Sequence, residues 1–188
     1  MTSLKTDLSS FDNDWYKPGR NLVVRVLWYF INYWFFKSPF PFYGPKRTLL
    51  RMFGAKVGKG VIIKPHVSIK YPWHLVIGDH VWIGEMAWID NLAKVTLKDH
   101  SCISQGAMLL CGNHNYKRPS FDLIVGEITL EEGAWAGAKT VICPGVRLGA
   151  HSLLTVGSIA TVSLEANWIY QGNPAKKLKI REFKAPKR

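Results

Sequence analysis

From Val57 to Glu165 an aliphatic or small residue recurs at every sixth position. The leading residues run Val57, Ile63, Ile69, then Ile77, Ile83, Ile89, then Leu97, Ile103, Leu109, and resume as Leu130, Ala136, Ile142, Leu148, Leu154, Ala160. A small or branched residue often follows four places on, as at Val61, Ala87, Ser101, Ala134, Thr140 and Ser158. A period of six fits neither a 3.6-residue helix nor an alternating strand. It predicts a parallel β-helix, whose hexads form short strands separated by turns. Each coil then stacks only on its neighbours, and the aliphatics fill one interior column. Gly58, Gly78, Gly84, Gly137 and Gly149 follow leading residues, where tight corners with positive φ are expected.

The register breaks three times. From 69 to 77 and from 89 to 97 the step is eight residues, and from 109 to 130 it is twenty-one. If three hexads make one triangular coil, every insertion falls after the third hexad, at one corner of the prism. The first two are small bulges. The third is a long loop, about 110–129, and a loop of that length in a compact domain is usually functional.

The long loop holds one histidine, His114. His66, His80, His100 and His151 all fall three places after a leading aliphatic, a repeated outward corner where a structural role is expected. His74 lies in the first bulge. A lone histidine on an inserted loop is a candidate general base, and a reaction that would use one is transfer of an acyl group from a thioester to a hydroxyl. Imidazole, with a reference pKa of about 6.5, is neutral and competent near pH 7. A thiol, with a pKa of about 8.5, leaves without strong acid help. The group that orients His114 is left open between Asp122, Glu127 and a backbone carbonyl.

The chain of 188 residues carries 25 basic and 13 acidic side chains, a net charge of +12. That excess implies an anionic partner. No nucleic-acid motif is present, so an acidic membrane face or a phosphorylated ligand leads. Cys102, Cys111 and Cys143 are odd in number and lack metal-type spacing, which predicts reduced thiols in a cytoplasmic protein. No secretory leader is expected, because residues 1–20 lack an apolar core.

Residues 1–56 are expected to be an arm followed by two helices, 57–171 the β-helix, and 172–188 a basic tail. Leu22 to Phe36 is a dense apolar run, too short for an ordinary membrane span. Asn21, Arg25, Trp28 and Asn32 share one face of it. Pro39 and Pro41 end this helix, and a second is expected from about Pro45 to Phe53, before Gly54. The aromatic helix packs either on protein or in a membrane interface. Packing on the β-helix or across an oligomer interface is the first expectation. The basic neighbours Arg20, Arg25, Lys37, Lys46, Arg47 and Arg51 support a membrane interface beside it, and the two are not exclusive.

The hexads, the loop with His114, and Gly172-Asn173-Pro174-Ala175-Lys176 together resemble the hexapeptide-repeat acyltransferases. More narrowly, the chain resembles the colanic acid biosynthesis acetyltransferases of bacterial exopolysaccharide clusters. The matching stretches include Leu50 to Gly58, Tyr71-Pro72-Trp73, Trp88 to Leu92, Ile103-Ser104-Gln105 and Pro119-Ser120-Phe121-Asp122. In place of an expected Gly-Ser-His-Asp-Tyr the chain reads Gly112-Asn113-His114-Asn115-Tyr116, so a flanking carboxylate is missing. The resemblance implies a left-handed parallel β-helix, an exception to right-handed crossovers. It implies a homotrimer that binds acetyl-CoA between neighbouring prisms, with His114 as general base and no metal. Asp90, Asn91 and Tyr116 would meet the acceptor sugar. Ala138, Gly157, Ser158 and Thr161 match positions that meet the pantetheine arm, with Trp135 near the same groove. Lys176 and Lys179 match positions near the nucleotide end.

The expected activity is O-acetylation of a sugar hydroxyl in an exopolysaccharide precursor, free or lipid-linked. The alternatives are a free sugar, an amino sugar or a xenobiotic as acceptor, or a non-catalytic trimeric CoA-binding scaffold. A zinc γ-carbonic anhydrase on the same prism needs a second histidine five residues after the first, where this chain has Pro119.

Overall fold

A computed structural model describes residues 4–184. Helix α1 (Leu22–Ile31) runs into a π-helical segment, Asn32–Phe36, and is followed by α2 (Tyr43–Met52). The first coil is β1 (Lys56–Val57), β2 (Ile62–Ile63) and β3 (Ser68–Ile69). The second is β4 (Leu75–Ile77), β5 (Trp82–Ile83) and β6 (Trp88–Asp90). The third is β7 (Val95–Leu97), β8 (Cys102–Ile103) and β9 (Met108–Leu110). A hairpin, β10 (Gly112–His114) and β11 (Leu123–Val125), interrupts the winding. Two further coils are β12 (Ile128–Leu130), β13 (Trp135–Ala136), β14 (Val141–Ile142) and β15 (Arg147–Leu148), β16 (Leu153–Leu154), β17 (Ile159–Ala160). The chain closes with β18 (Trp168–Gly172) and β19 (Ala175–Ile180), an antiparallel pair.

Corresponding strands of successive coils pair in parallel and build three faces. On the second face Ile63, Ile83, Ile103, Ala136, Leu154 and Tyr170 stand in one column. The hexad-leading residues from Ile63 to Ala160 are buried, so the interior is the aliphatic column that the spacing predicts. All three insertions fall where the third face turns back to the first.

The corners differ from the expected use of glycine. Positive φ falls three places after the leading residue, at Gly60, His66, His80, Met86, His100, Gly106, Gly133, Lys139, Gly145, His151 and Gly157. The glycines directly after the leading residue do not have it. They are small because the next coil lies against them: a Cβ on Gly84 would lie 2.7 Å from the Gln105 nitrogen, and one on Gly137 would lie 2.7 Å from the Leu154 carbonyl oxygen. Four histidines thus occupy left-handed corners, and His80 stacks on His100 with ring centroids 5.3 Å apart.

The first coil ends in unpaired strand edges, which the helices cover. Arg51 donates to the carbonyls of Val57 and Gly58. Arg47 donates to Val61, and Lys46 to Ile63 and Lys64. On the third face the Trp28 indole donates to the Ile69 carbonyl at 2.9 Å, and the Asn32 amide oxygen accepts from Ile69 N–H. The polar stripe of α1 is therefore its inward face, because the surface it meets is backbone rather than aliphatic. Lys46, Arg47 and Arg51 are engaged in this cap, and Lys46 is fully buried, so they are not free to meet lipid. Of the proposed tail, residues 175–180 form β19, and Lys187 and Arg188 lie outside the described residues.

Candidate active site

The interrupting loop is a hairpin that carries His114 at the turn end of its short strand ladder. Gly112 pairs with Val125 and His114 with Leu123. Gly112 lies against the Leu92 side chain, whose methyl end a Cβ there would have to displace. The His114 ring lies flat against Phe121, with centroids 4.2 Å apart and planes 8° from parallel. Its Nδ1 is 2.8 Å from the Phe121 carbonyl oxygen. A carbonyl can only accept, so Nδ1 carries the proton in neutral imidazole and Nε2 is the basic nitrogen. The orienting group is thus a backbone carbonyl. Asp122 is held instead by Arg118 and Ser120, and among the described residues neither it nor Glu127 hydrogen-bonds the imidazole.

His114 lines a cleft of about 590 Å³. Its other walls come from three places. Lys70, Tyr71, Asp90 and Leu92 belong to the bulged corner, Arg25 to α1, and Phe11, Asn13, Tyr16 and Pro18 to the N-terminal arm. The arm is fastened by Tyr16 Oη donating to the Leu92 carbonyl, Asp7 N–H to Pro119, and the Trp73 indole to Pro18. Burial pushes the Tyr16 hydroxyl well above its ordinary range, which keeps it a donor. Phe11 packs at 5.7 Å from the His114 ring. The arm residues escaped sequence reasoning because nothing local marks a polar arm as the wall of a distant corner. The clustered polar groups on α1 were the one available sign for Arg25.

The expected acceptor residues separate. Asp90 lines the cleft and pairs with Lys70 at 3.0 Å. Asn91 does not reach it. Its side chain is fully buried, accepting from Tyr71 N–H and donating to the Tyr71 carbonyl, so it shapes the bulge from within. Tyr116 is 83% exposed at the hairpin tip, away from the cleft lining.

The expected cofactor residues lie mostly on another edge. Trp135 is on the second face, with its indole donating to Ser104 Oγ. Ala138 and Gly157 stack at the corner between the second and third faces, where Gly157 N–H donates to the Ala138 carbonyl. Gly157 is open, with nothing within 4 Å of a built Cβ. Ser158 is buried and its hydroxyl already accepts from Gly172 N–H, so its contribution is to the turn. Thr161 follows β17 and sits on the same edge as the hairpin, apart from the other four. Lys176 and Lys179 are exposed on β19, and neither forms an ion pair among the described residues, whereas Lys177 pairs with Glu165. On one chain His114 and the Trp135–Ala138–Gly157 group occupy different edges of the prism.

No protein-family profile matches the chain. It is 35% identical over 170 residues, 90% of its length and 93% of the relative, to the "Putative colanic acid biosynthesis acetyltransferase WcaF" of Escherichia coli (strain K12). It is 27% identical to the galactoside O-acetyltransferase of the same organism, over 70% of this chain and 66% of that one. Among solved structures, a hexapeptide-repeat-containing acetyltransferase from Vibrio cholerae superposes with a TM-score of 0.77 at 22% identity, covering 86% of this chain and 92% of that one. The same protein has been solved with acetyl coenzyme A. A galactoside acetyltransferase in complex with coenzyme A gives a TM-score of 0.75 at 24% identity, covering 85% of this chain and 82% of that one. These two likenesses show the fold, and the first relative shows the family. The chain belongs to the hexapeptide-repeat acetyltransferases, in the group of the colanic acid biosynthesis acetyltransferase.

Proposed function

We propose that this protein is an acetyl-CoA-dependent O-acetyltransferase that modifies a sugar hydroxyl of an exopolysaccharide precursor of the colanic acid type, with His114 as general base. The observation that carries the reading is the bond from Nδ1 to the Phe121 carbonyl, which leaves the basic nitrogen of a cleft-lining histidine without a partner among the described residues. Acetyl-CoA supplies the activated acetyl group as a thioester. His114 Nε2 takes the hydroxyl proton as the sugar oxygen bonds to the acetyl carbon and the carbon–sulfur bond breaks. The proton then goes to the departing thiolate. A positioned base of this kind contributes about 10²–10⁴-fold. Asn13 gives the cleft a fitting acceptor, since its buried amide oxygen has no partner among the described residues and a sugar hydroxyl would supply one.

The Trp135–Ala138–Gly157 edge suits the pantetheine arm, and Lys176 and Lys179 suit the phosphates. Because these residues and His114 stand on different edges, one complete site needs two copies of the chain. A three-fold ring of identical prisms supplies three such sites. Trp82, Met86 and Trp88 are exposed around the corner between the second and third faces, an apolar surface suited to a neighbouring copy.

Helix α1 and the π-helical segment after it turn an uncovered aromatic face outward, including Tyr29, Phe30, Tyr33 and Trp34, with Lys37 at its end. This face suits the interface of an anionic bilayer, where Trp and Tyr sit at headgroup depth. No described helix is long and apolar enough to cross a membrane, and the contact in this reading is peripheral, at the cytoplasmic face.

Purified protein should consume acetyl-CoA with lipid-linked precursor oligosaccharide as acceptor. Consumption with free sugars or amino sugars alone would move the assignment to a small-molecule acetyltransferase. Coenzyme A binding without turnover on any acceptor would leave a scaffold.

A further inference from the structure

The His114 cleft does not end at the hairpin. A second cleft of about 450 Å³ runs along α1, and the two share a wall made of Arg25, Lys70, Tyr71 and Asp90. The character of the walls changes along this path. At one end are His114 and Asn13; at the other are Val26, Tyr29 and Trp88, leading onto the exposed aromatic face of α1. The charges lie between them. Lys70 and Asp90 neutralise each other at 3.0 Å. Arg25 does not have such a partner: among the described residues its guanidinium makes no ion pair and no hydrogen bond. The other arginines of the helical region, Arg47 and Arg51, are engaged by carbonyls of the first coil. Arg25 is half-buried and close enough to Tyr16 to oppose the upward shift of its hydroxyl. Lys37, which forms no ion pair among the described residues, adds a second cation on the far cleft.

We propose that the acceptor saccharide carries a phosphate, and that Arg25 is the specificity-determining residue that binds it at the junction of the two clefts. A guanidinium presents a planar fork that matches phosphate oxygens two at a time. A half-buried Arg without a protein partner beside a reactive cleft is suited to a ligand's charge, whereas a solvated surface cation would stand clear of it. The order of the walls places the sugar at His114, its phosphate at Arg25 and any hydrocarbon along Val26 and Tyr29. The phosphate has two possible sources: a free sugar phosphate, or a lipid diphosphate carrying the sugar.

The inference rests on the acetyltransferase reading, and its test separates the two. Full-length protein is assayed with acetyl-CoA and three acceptors: a methyl hexoside, the same hexose as its 1-phosphate, and the hexose joined to farnesyl diphosphate. The expected result is a kcat/KM at least about 10-fold higher for the phosphorylated acceptors than for the methyl hexoside, carried in KM. In Arg25→Ala the ratio should fall to near one, and Arg25→Lys should restore part of it, with the KM for acetyl-CoA unmoved. A further gain with the farnesyl ester assigns the phosphate to a lipid carrier, and equal rates assign it to a free sugar phosphate. A wild-type preference for the neutral hexoside, or a phosphate preference that survives Arg25→Ala, overturns the proposal. If no acceptor is acetylated, the enzymatic reading fails on its own. Calorimetric titration with hexose 1-phosphate then decides the subsite: binding that Arg25→Ala weakens supports it, and binding that is absent or unchanged refutes it.

Discussion

The imidazole of His114 and the backbone carbonyl of Phe121 form one unit, with Nδ1 and the oxygen 2.8 Å apart and the two rings stacked at 4.2 Å. Phe121 holds this position with φ of 55°, an unusual conformation for a residue with a side chain. The carbonyl fixes the tautomer, and the phenyl face fixes the ring plane. Phe121→Ala should keep the hydrogen bond and free the ring to tilt. It should lower kcat by about 10-fold, with the KM for acetyl-CoA unchanged, because a misaligned base loses part of its 10²–10⁴-fold contribution. Steady-state kinetics on the two proteins checks this.

The edges of the prism lead to a complementation experiment. His114→Ala removes the base from one edge, and Ala138→Arg fills the open corner on another. Each variant alone should be inactive. Co-expressed in equal amounts, they should recover about a quarter of wild-type activity, since that share of shared sites pairs an intact His114 with an intact corner. Absence of recovery would place the whole site on one chain.

Lys46 gives a pH signature. Burial lowers its amine from 10.5 to about 8. A folded value below the unfolded one means that the folded chain binds fewer protons between about pH 8 and 10.5. Stability from this group therefore rises with pH through that window and is flat on either side. Urea unfolding of wild type and Lys46→Met should show the difference moving in favour of wild type by up to about 3 kcal/mol across it. Cys111, whose thiol burial pushes up to about 11, works in the opposite direction but is common to both proteins and cancels.

Two glycines separate close approach from conformation. Gly84→Ala would put a Cβ 2.7 Å from the Gln105 nitrogen, whereas Gly145 has φ of +79° and nothing within 4 Å. Gly84→Ala should destabilise the fold by about 3 kcal/mol through displaced coils, and Gly145→Ala by about 1 kcal/mol through the left-handed backbone alone. Thermal unfolding of the two variants measures the contrast.

The spacing of leading residues was enough to read the prism, since each hexad meets only its neighbours and local period becomes global shape. The three insertions at one corner, and His114 on the longest, were legible for the same reason. The contents of the cleft were not. Asn91 and Asp90 are adjacent in sequence, yet one points inward to Tyr71 and the other outward to Lys70, a distinction set by the bulge rather than by composition. The arginines of the helical region read alike as basic residues. Only packing shows that Arg47 and Arg51 cap the first coil while Arg25 faces the cleft. The glycine corners were misread because positive φ and tight stacking both select glycine, and sequence does not say which operates.

The most direct measurement is the rate of acetyl transfer by His114→Ala, taken alongside its affinity for acetyl-CoA and its oligomeric mass. A fall in kcat of about 10²–10⁴-fold, with affinity and mass unchanged, is the predicted result. Turnover within a few-fold of wild type would show that another group removes the proton.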